Sequence, residues 1–389
     1  MLIPQPTKKP HNPCFSSGPC AKRPEWSIDA LRGALAGRSH RSKPAMARIK
    51  EMLDLTRAVL EIPADYHIGI TAGSDTAAIE LAMWNMLGAR GVDVFGFEVF
   101  SNDWVLDITK QLKIPNARVF QTPFGELPDL RQADFNNDVV FTWNGTTSGV
   151  IVPDGDWIPD NRSGLTFCDA ISGVFGVPMP WDKLDVTSFS WQKGLGGEAQ
   201  HGIIVFSPRA LERLQSYTPP WPMPKIFRLK KSGEVAMGFF AGETINTPSM
   251  LCIEDAIDAL KWCQQMGGLP ALCARTQKNF QTVKDWVART PWIEFFAKEE
   301  IYRSPLAVTI KINTPEYNTL DEVSQRKFNQ ELTARVDAAG AGYDFNNHKA
   351  APPSLRIWCG PTVEAADVSV LLEWIAWSYQ QQIQMVQAA

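Results

Sequence analysis

A succession of short, unbroken apolar runs is the feature that most restricts what this chain can become. They read HIGIT (67–71), DVFGFEVF (93–100), ARVFQT (117–122), DVVFTWN (138–144), LTFCDA (165–170), DVTSFSWQ (185–192) and GIIVF (202–206). Each has the length of a strand. Several lack the alternation of a strand with one wet face, so they are expected to be covered on both sides. After the first run comes DTAAIELAMWNMLG (75–88), which reads as a helix. Strands alternating with helices predict an α/β layer structure around a largely parallel sheet.

The flanks read differently. Residues 1–45 are rich in Pro, Gly and Ser with little periodicity, which predicts an extended arm. MARIKEMLDLTRAVLEIP then predicts a helix over 46–62 that stops at a proline. YTPPWPMPK (217–225) is a loop, followed by helices over 250–268 and 269–288. Strands near 306–312 and 355–359 and helices near 320–339 and 364–380 predict a smaller α+β unit. The expected division is an arm (1–45), a large α/β domain (46–265) and a small C-terminal domain (266–389).

Composition excludes several functions. The 389 residues carry a net charge of −4, without the basic excess of a nucleic-acid binder. No apolar run reaches the ~18 residues of a membrane span. The first residues lack the charged-then-apolar order of a secretory signal. Seven cysteines, without a C-x-x-C pair, argue against a disulfide framework or a zinc site. A cytoplasmic, metal-free protein is expected.

In open α/β sheets ligands bind beyond the carboxyl ends of the strands, so the residues there are the candidates. After the first run, Ser74, Asp75 and Thr76 open a helix whose free amides can hold an anion, or simply cap it. Neither the G-x-G-x-x-G nor the G-x-x-x-x-G-K-[ST] fingerprint is present, which counts against a nucleotide. Trp104, past the second run, can stack on a flat ring or be core. NGTTSG brings Thr146. Asp169 ends LTFCDA, where a carboxylate in a dry pocket would need a partner such as a protonated ring nitrogen. Lys193 follows DVTSFSWQ, and a buried amine becomes a nucleophile toward carbonyls. An anion cradle, an aromatic, small hydroxyls, a carboxylate and an amine at successive strand ends are what pyridoxal 5'-phosphate requires.

With these pieces in view, the chain resembles the phosphoserine aminotransferase family, in class V of the fold-type-I pyridoxal-phosphate-dependent transferases. The resemblance runs through FSSGPCAKRPEW (15–26), GRSHRSK (37–43), WNGTTSG (143–149), CDAISG (168–173), SFSWQKGLGGEAQHG (188–202), GETINTPSM (242–250) and NNHKAAPPSLRIW (346–358). It implies that Lys193 holds the cofactor as an aldimine and moves the proton between Cα and C4′. It implies that Asp169 keeps the pyridine nitrogen protonated, that Trp104 stacks on the ring and that Thr146 bonds near O3′. Ser74, Asp75, Thr76 and Gln192 would hold the phosphate, joined by Asn246 and Thr247 from the second subunit of a homodimer. His40, Arg41, His348 and Arg356 would bind the substrate's phosphate and carboxylate.

The implied reaction is transamination of 3-phosphohydroxypyruvate with L-glutamate to O-phospho-L-serine and 2-oxoglutarate, with a phosphohydroxythreonine of vitamin B6 synthesis as a second substrate. The chain departs from the family at TAGSDTAA, where many members have a Gly-rich stretch with an arginine. An aspartate there repels a phosphate unless its side chain turns away to cap the helix. The rival readings are another class V enzyme, such as an alanine– or serine–glyoxylate aminotransferase or a cysteine desulfurase, a non-catalytic binding protein on the same fold, and a nucleotide-binding oxidoreductase.

Overall fold

The computed structural model describes residues 3–388. The chain enters through an extended segment and a short 3₁₀ turn, Ile28–Leu31. It then forms α1 (Lys43–Leu60), which starts three residues earlier than the periodicity predicts because Pro44 fits the first turn.

The central unit follows. Its elements are β1 (His67–Ala72), α2 (Ser74–Met86), β2 (Val92–Gly96), α3 (Val99–Leu106), β3 (Arg118–Gln121), β4 (Asp138–Thr142), a small hairpin of β5 (Asn144–Gly145) and β6 (Val150–Ile151), β7 (Thr166–Asp169), β8 (Val186–Ser190), β9 (His201–Phe206) and α4 (Pro208–Ser216). A second hairpin, β10 (Lys230–Lys231) and β11 (Glu234–Val235), precedes α5 (Met250–Gln265) and α6 (Gly268–Ala288). The C-terminal part holds β12 (Ile293–Phe295), β13 (Ala307–Ile312), α7 (Pro315–Asn318), α8 (Glu322–Ala338), β14 (Leu355–Trp358) and α9 (Ala365–Ala388).

Seven strands form one sheet in the order β1-β9-β8-β7-β4-β2-β3. Pairings from β8 through β3 are parallel, and β9 alone runs against its neighbours. The carboxyl ends of all strands but β9 therefore lie along one edge, which gathers the turns after residues 72, 96, 142, 169 and 190. β2, β4, β7, β8 and β9 are buried along their whole length, as their unbroken apolar runs require. β12, β13 and β14 make a separate antiparallel sheet.

The run DVFGFEVF is not one strand. β2 stops at Gly96, and α3 opens at Val99. A reciprocal cap forces the break: the Glu98 carboxylate accepts from the Ser101 amide, and the Ser101 hydroxyl accepts from the Glu98 amide. Glu at the cap with Ser three residues on reverses the usual S-x-x-E order, so the apolar pattern hides it.

Apolar side chains on the two faces of the large sheet form two clusters, one under α1 and α5 and one under α2 and α4. A third cluster fills the C-terminal part and includes Phe15, Cys20 and Ala21 from the N-terminal segment. Phe15 is fully buried, a contribution of roughly 1.5–3 kcal/mol. The Trp358 amide donates to its carbonyl at 3.1 Å, and the Cys20 amide donates to the Gln192 carbonyl at 2.7 Å. The segment thus ties β14 to the turn after β8.

At the opposite edge of the large sheet, Asp185 is the hub. Its carboxylate accepts from Arg209, Arg162, the Thr166 amide and the Ser207 hydroxyl at 2.9–3.2 Å. Asp185→Ala leaves a buried guanidinium, Arg162, without its counter-charge. The variant is expected to lose about 3–5 kcal/mol of stability, read from denaturant unfolding. A loss under about 1 kcal/mol, the size of an exposed pair, would show that solvent does the work of the hub.

Candidate active site

The turn after β8 presents Lys193, which is 7% exposed. Its Nζ donates to the Ser17 carbonyl at 2.6 Å. Burial pushes its pKa down to about 8, and the positive charge of Arg356 lowers it further against the opposing pull of Cys20, Glu98 and Asp169. Gly18 makes room for it, since a Cβ there would stand 3.0 Å from Nζ. A lysine held this way is part neutral near physiological pH, which a solvated ammonium is not.

Asp169 ends β7 and is 1% exposed. The Trp104 indole N–H donates to Oδ2 at 3.0 Å and the Ile171 amide to Oδ1 at 3.1 Å. Trp104 thus lies on α3 with its nitrogen engaged by Asp169 and its ring in the apolar cluster under α2. The aromatic face nearest the amine is that of Phe100, one turn earlier, whose ring centre is 5.8 Å from Nζ. Sequence reasoning missed Phe100 because its run reads as continuous strand.

The first turn of α2 carries two successive left-handed residues, Gly73 (φ 93°) and Ser74 (φ 60°). Ser74, Ser190 and Gln192 meet there: the two hydroxyls are 3.0 Å apart, and the Gln192 amide donates to Ser74 Oγ at 2.9 Å. Thr76 is exposed beside them. Asp75 does not cap the helix. The cap is Gly73, without a side-chain bond, while Asp75 is buried against Asp169. Burial first, and then the neighbouring Asp169, raise its pKa well above the usual carboxylate range. Its carboxyl is therefore turned toward Asp169, and a negative charge on it is disfavoured.

Thr146 is buried, with its hydroxyl 2.9 Å from that of Ser172. The next residue, Thr147, donates to Glu98 at 2.7 Å. Burial raises the Glu98 carboxyl to about 7, so this second unforeseen residue is a largely desolvated acid near Lys193 and Arg356.

Arg356, on β14, has one hydrogen bond, a long 3.4 Å contact from Nη1 to the Thr146 carbonyl. Its Nε is buried without a partner, and no carboxylate of the described residues forms an ion pair with it. Burial lowers its pKa. A desolvated guanidinium without a counter-ion is expensive unless an anion is to fill the gap. His348 stands nearby, its ring 6.0 Å from that of Phe100. Its Nδ1 accepts from the Ala350 amide at 3.2 Å, which leaves Nε2 as the protonated nitrogen.

The remaining candidates lie elsewhere. His40, Arg41 and Thr247 line a groove of about 550 Å³ between the N-terminal segment and the start of α5, and Lys193, Asp169, His348 and Arg356 are not in its lining. Asn246 is exposed next to it. His40 is buried, and its Nε2 has no partner. The structure therefore gathers Lys193, Asp169, Gln192, Ser74, Thr146, His348 and Arg356 along one sheet edge. It sets His40, Arg41, Asn246 and Thr247 apart from them.

Solved structures that share this fold include aminotransferases. A phosphoserine aminotransferase from Cytophaga hutchinsonii superposes with a TM-score of 0.77 at 19% identity, covering 93% of this chain and 97% of that one. A pyridoxamine–pyruvate aminotransferase from Mesorhizobium loti gives 0.78 at 18% identity, covering 100% and 98%. At such identities the likeness concerns the fold. The sequence is more specific. It is 52% identical over 375 residues to a phosphoserine aminotransferase of Methanosarcina mazei, covering 96% of this chain and 99% of the relative. A Methanosarcina barkeri protein of the same name is 51% identical. No family model matches. The chain belongs to the phosphoserine aminotransferase family.

The depressed pKa of Lys193 has a consequence for stability. A lysine with a folded pKa of about 8 against 10.5 unfolded binds fewer protons when folded between those values. The protein therefore gains stability as pH rises through that window. Lys193→Met removes the buried charge and is expected to raise the Tm of the cofactor-free protein at neutral pH, by up to about 3 kcal/mol in free energy. The advantage should shrink toward pH 10.5. A difference independent of pH in thermal melts would contradict the buried-amine assignment.

Proposed function

We propose that this chain is a phosphoserine aminotransferase that transfers the amino group of L-glutamate to 3-phosphohydroxypyruvate. The observation that carries the reading is the half-buried Arg356, without a carboxylate partner and with its Nε buried and unbonded, beside a buried Lys193 and Asp169. Both substrates carry a carboxylate beside the reacting carbon, and a guanidinium fork is made for one.

The residues present fit pyridoxal phosphate. Room for an amine at Gly18, a ring-facing aromatic in Phe100, a carboxylate at a strand end and hydroxyls at a helix N-terminus are all in place. When bound, the cofactor supplies an aldehyde that exchanges amino groups and a ring that withdraws electrons from the reacting carbon.

The protein's part follows from its own groups. Lys193, held near pKa 8 by burial, attaches the cofactor and then carries the proton to and from the substrate carbon. Asp169 keeps its charge toward the ring nitrogen. Trp104 would face the ring while its indole N–H holds Asp169, and Phe100, 5.8 Å from the Lys193 amine, would add a second aromatic wall. Ser74, Gln192 and the α2 amides take the cofactor phosphate, with Thr76 at the rim. Thr146 lies along the ring edge.

The γ-carboxylate of glutamate and the phosphate of the keto acid need further cations. His348 is one. His40 and Arg41 lie with Thr247 in the separate groove, with Asn246 next to it, so they would serve a site completed by two chains. A homodimer that exchanges these residues accounts for their distance from Lys193 and for the unpartnered His40 Nε2. A phosphohydroxythreonine keeps the same carboxylate and phosphate, so the same cations admit it. Among the described residues no helix is long and apolar enough to cross a membrane.

The test is an absorbance titration of the cofactor-loaded protein. The visible band should bleach with L-glutamate and return with 3-phosphohydroxypyruvate. In Arg356→Ala both half-reactions should require substrate concentrations on the order of 10- to 100-fold higher. A band that ignores glutamate removes the substrate assignment, and an effect on one substrate alone misplaces Arg356.

A further inference from the structure

Asp75 is the buried acid of this site that the transamination chemistry leaves without a task. It sits in the first turn of α2, 3% exposed, with Oδ1 lacking any N–H or O–H donor. α2 packs across β7 and β8. That crossing sets the Asp75 carboxyl beside the Asp169 carboxyl, near enough for one to donate a hydrogen bond to the other.

Two carboxyl groups share a hydrogen bond only when one of them carries a proton. The surrounding donors decide which one. Asp169 already accepts the Trp104 indole on one oxygen and the Ile171 amide on the other, and both bonds favour its charged form. Asp75 has no N–H donor and faces a single hydroxyl, that of Ser188, while its Oδ1 has no partner. The groups facing it are Asp169 on β7, Ser188 on β8 and Lys193 after β8. Burial and the adjacent Asp169 disfavour its charge, and Lys193 offsets them only in part. Asp75 is therefore the member that holds the proton.

We propose that Asp75 is a positioning residue, a neutral carboxylic acid that donates a hydrogen bond to Asp169. It fixes the orientation and the single negative charge of the carboxylate that meets the cofactor's ring nitrogen. The inference rests on the cofactor reading above. Its physical content is that three donors, from Trp104, Ile171 and Asp75, clamp one carboxylate. A second buried anion at the same place would cost burial energy that no further cation of the described site repays.

The test uses the full-length wild type, Asp75→Asn and Asp75→Ala, each stripped of cofactor and reloaded with pyridoxal phosphate carrying ¹⁵N in the ring. Cofactor affinity is read from tryptophan quenching. The ¹⁵N chemical shift, followed from neutral to alkaline pH, reports whether the ring nitrogen is protonated, without any turnover. An amide retains an N–H donor, so Asp75→Asn should keep the wild-type shift and an affinity within about twofold. Asp75→Ala should bind about 10-fold more weakly, and its ring nitrogen should lose its proton at lower pH because Asp169 turns and hydrates.

Asparagine behaving like alanine would mean that Asp75 acts as an anion. All three proteins behaving alike would mean that it only fills space. Either result overturns the inference while leaving the cofactor reading intact. A wild type that takes up no pyridoxal phosphate overturns both. Should Asp75→Ala fail to fold, an infrared carbonyl band of a protonated acid answers instead. It should be present in the wild type at neutral pH and missing in Asp75→Asn, and its absence from the wild type contradicts the proposal.

Discussion

The desolvation of one amine at the end of β8 governs the arrangement around it. Lysine is strongly hydrated and is seldom buried without compensation. Here the Ser17 carbonyl is its direct partner, and the acids Asp169 and Glu98 oppose the charge of Arg356. The N-terminal segment exists in its observed place for that reason. Phe15 anchors it in the C-terminal cluster, Cys20 bonds the Gln192 carbonyl, and Ser17 lies between them at the amine.

The two edges of the large sheet are built to opposite ends. At one, Asp185 is saturated with donors and pins three strands. At the other, buried polar atoms stand without partners, among them Arg356 Nε, Asp75 Oδ1, Ser17 Oγ and Ser188 Oγ. Unpaired buried groups cost stability, and their clustering along the edge where strand ends converge is the pattern of a site prepared for a charged ligand. The 550 Å³ groove with His40 and Arg41 holds another such atom, the unpartnered Nε2 of His40, at a distance.

Much of this was legible in the residues. Strands buried on both faces leave unbroken apolar runs, and the polar residues that end them mark the functional edge, which is how Lys193, Asp169 and Thr146 were singled out. What escaped did so for definite reasons. Glu98 and Phe100 sit inside a run that reads as one strand, because a reversed cap breaks it without a turn residue. Helical position places Asp75 in the first turn but does not say that α2 crosses β7, so a phosphate or a helix cap seemed its only uses. Trp104 has two roles open to an aromatic, and its indole N–H adds a third that the residue type alone does not reveal, a bond to Asp169. The ranges expected for the separate domains rest on composition, whereas Phe15, Cys20 and Ala21 lie in the C-terminal cluster despite their place in the chain.

The central claim is that the buried amine of Lys193 is the group on which the chemistry turns. The most direct measurement is to load the protein with pyridoxal phosphate, reduce it with borohydride and map the modified peptide by mass spectrometry. The account predicts one stable adduct, on Lys193, in the peptide containing Trp191 and Gln192. An adduct spread over surface lysines, or none at Lys193, would contradict it.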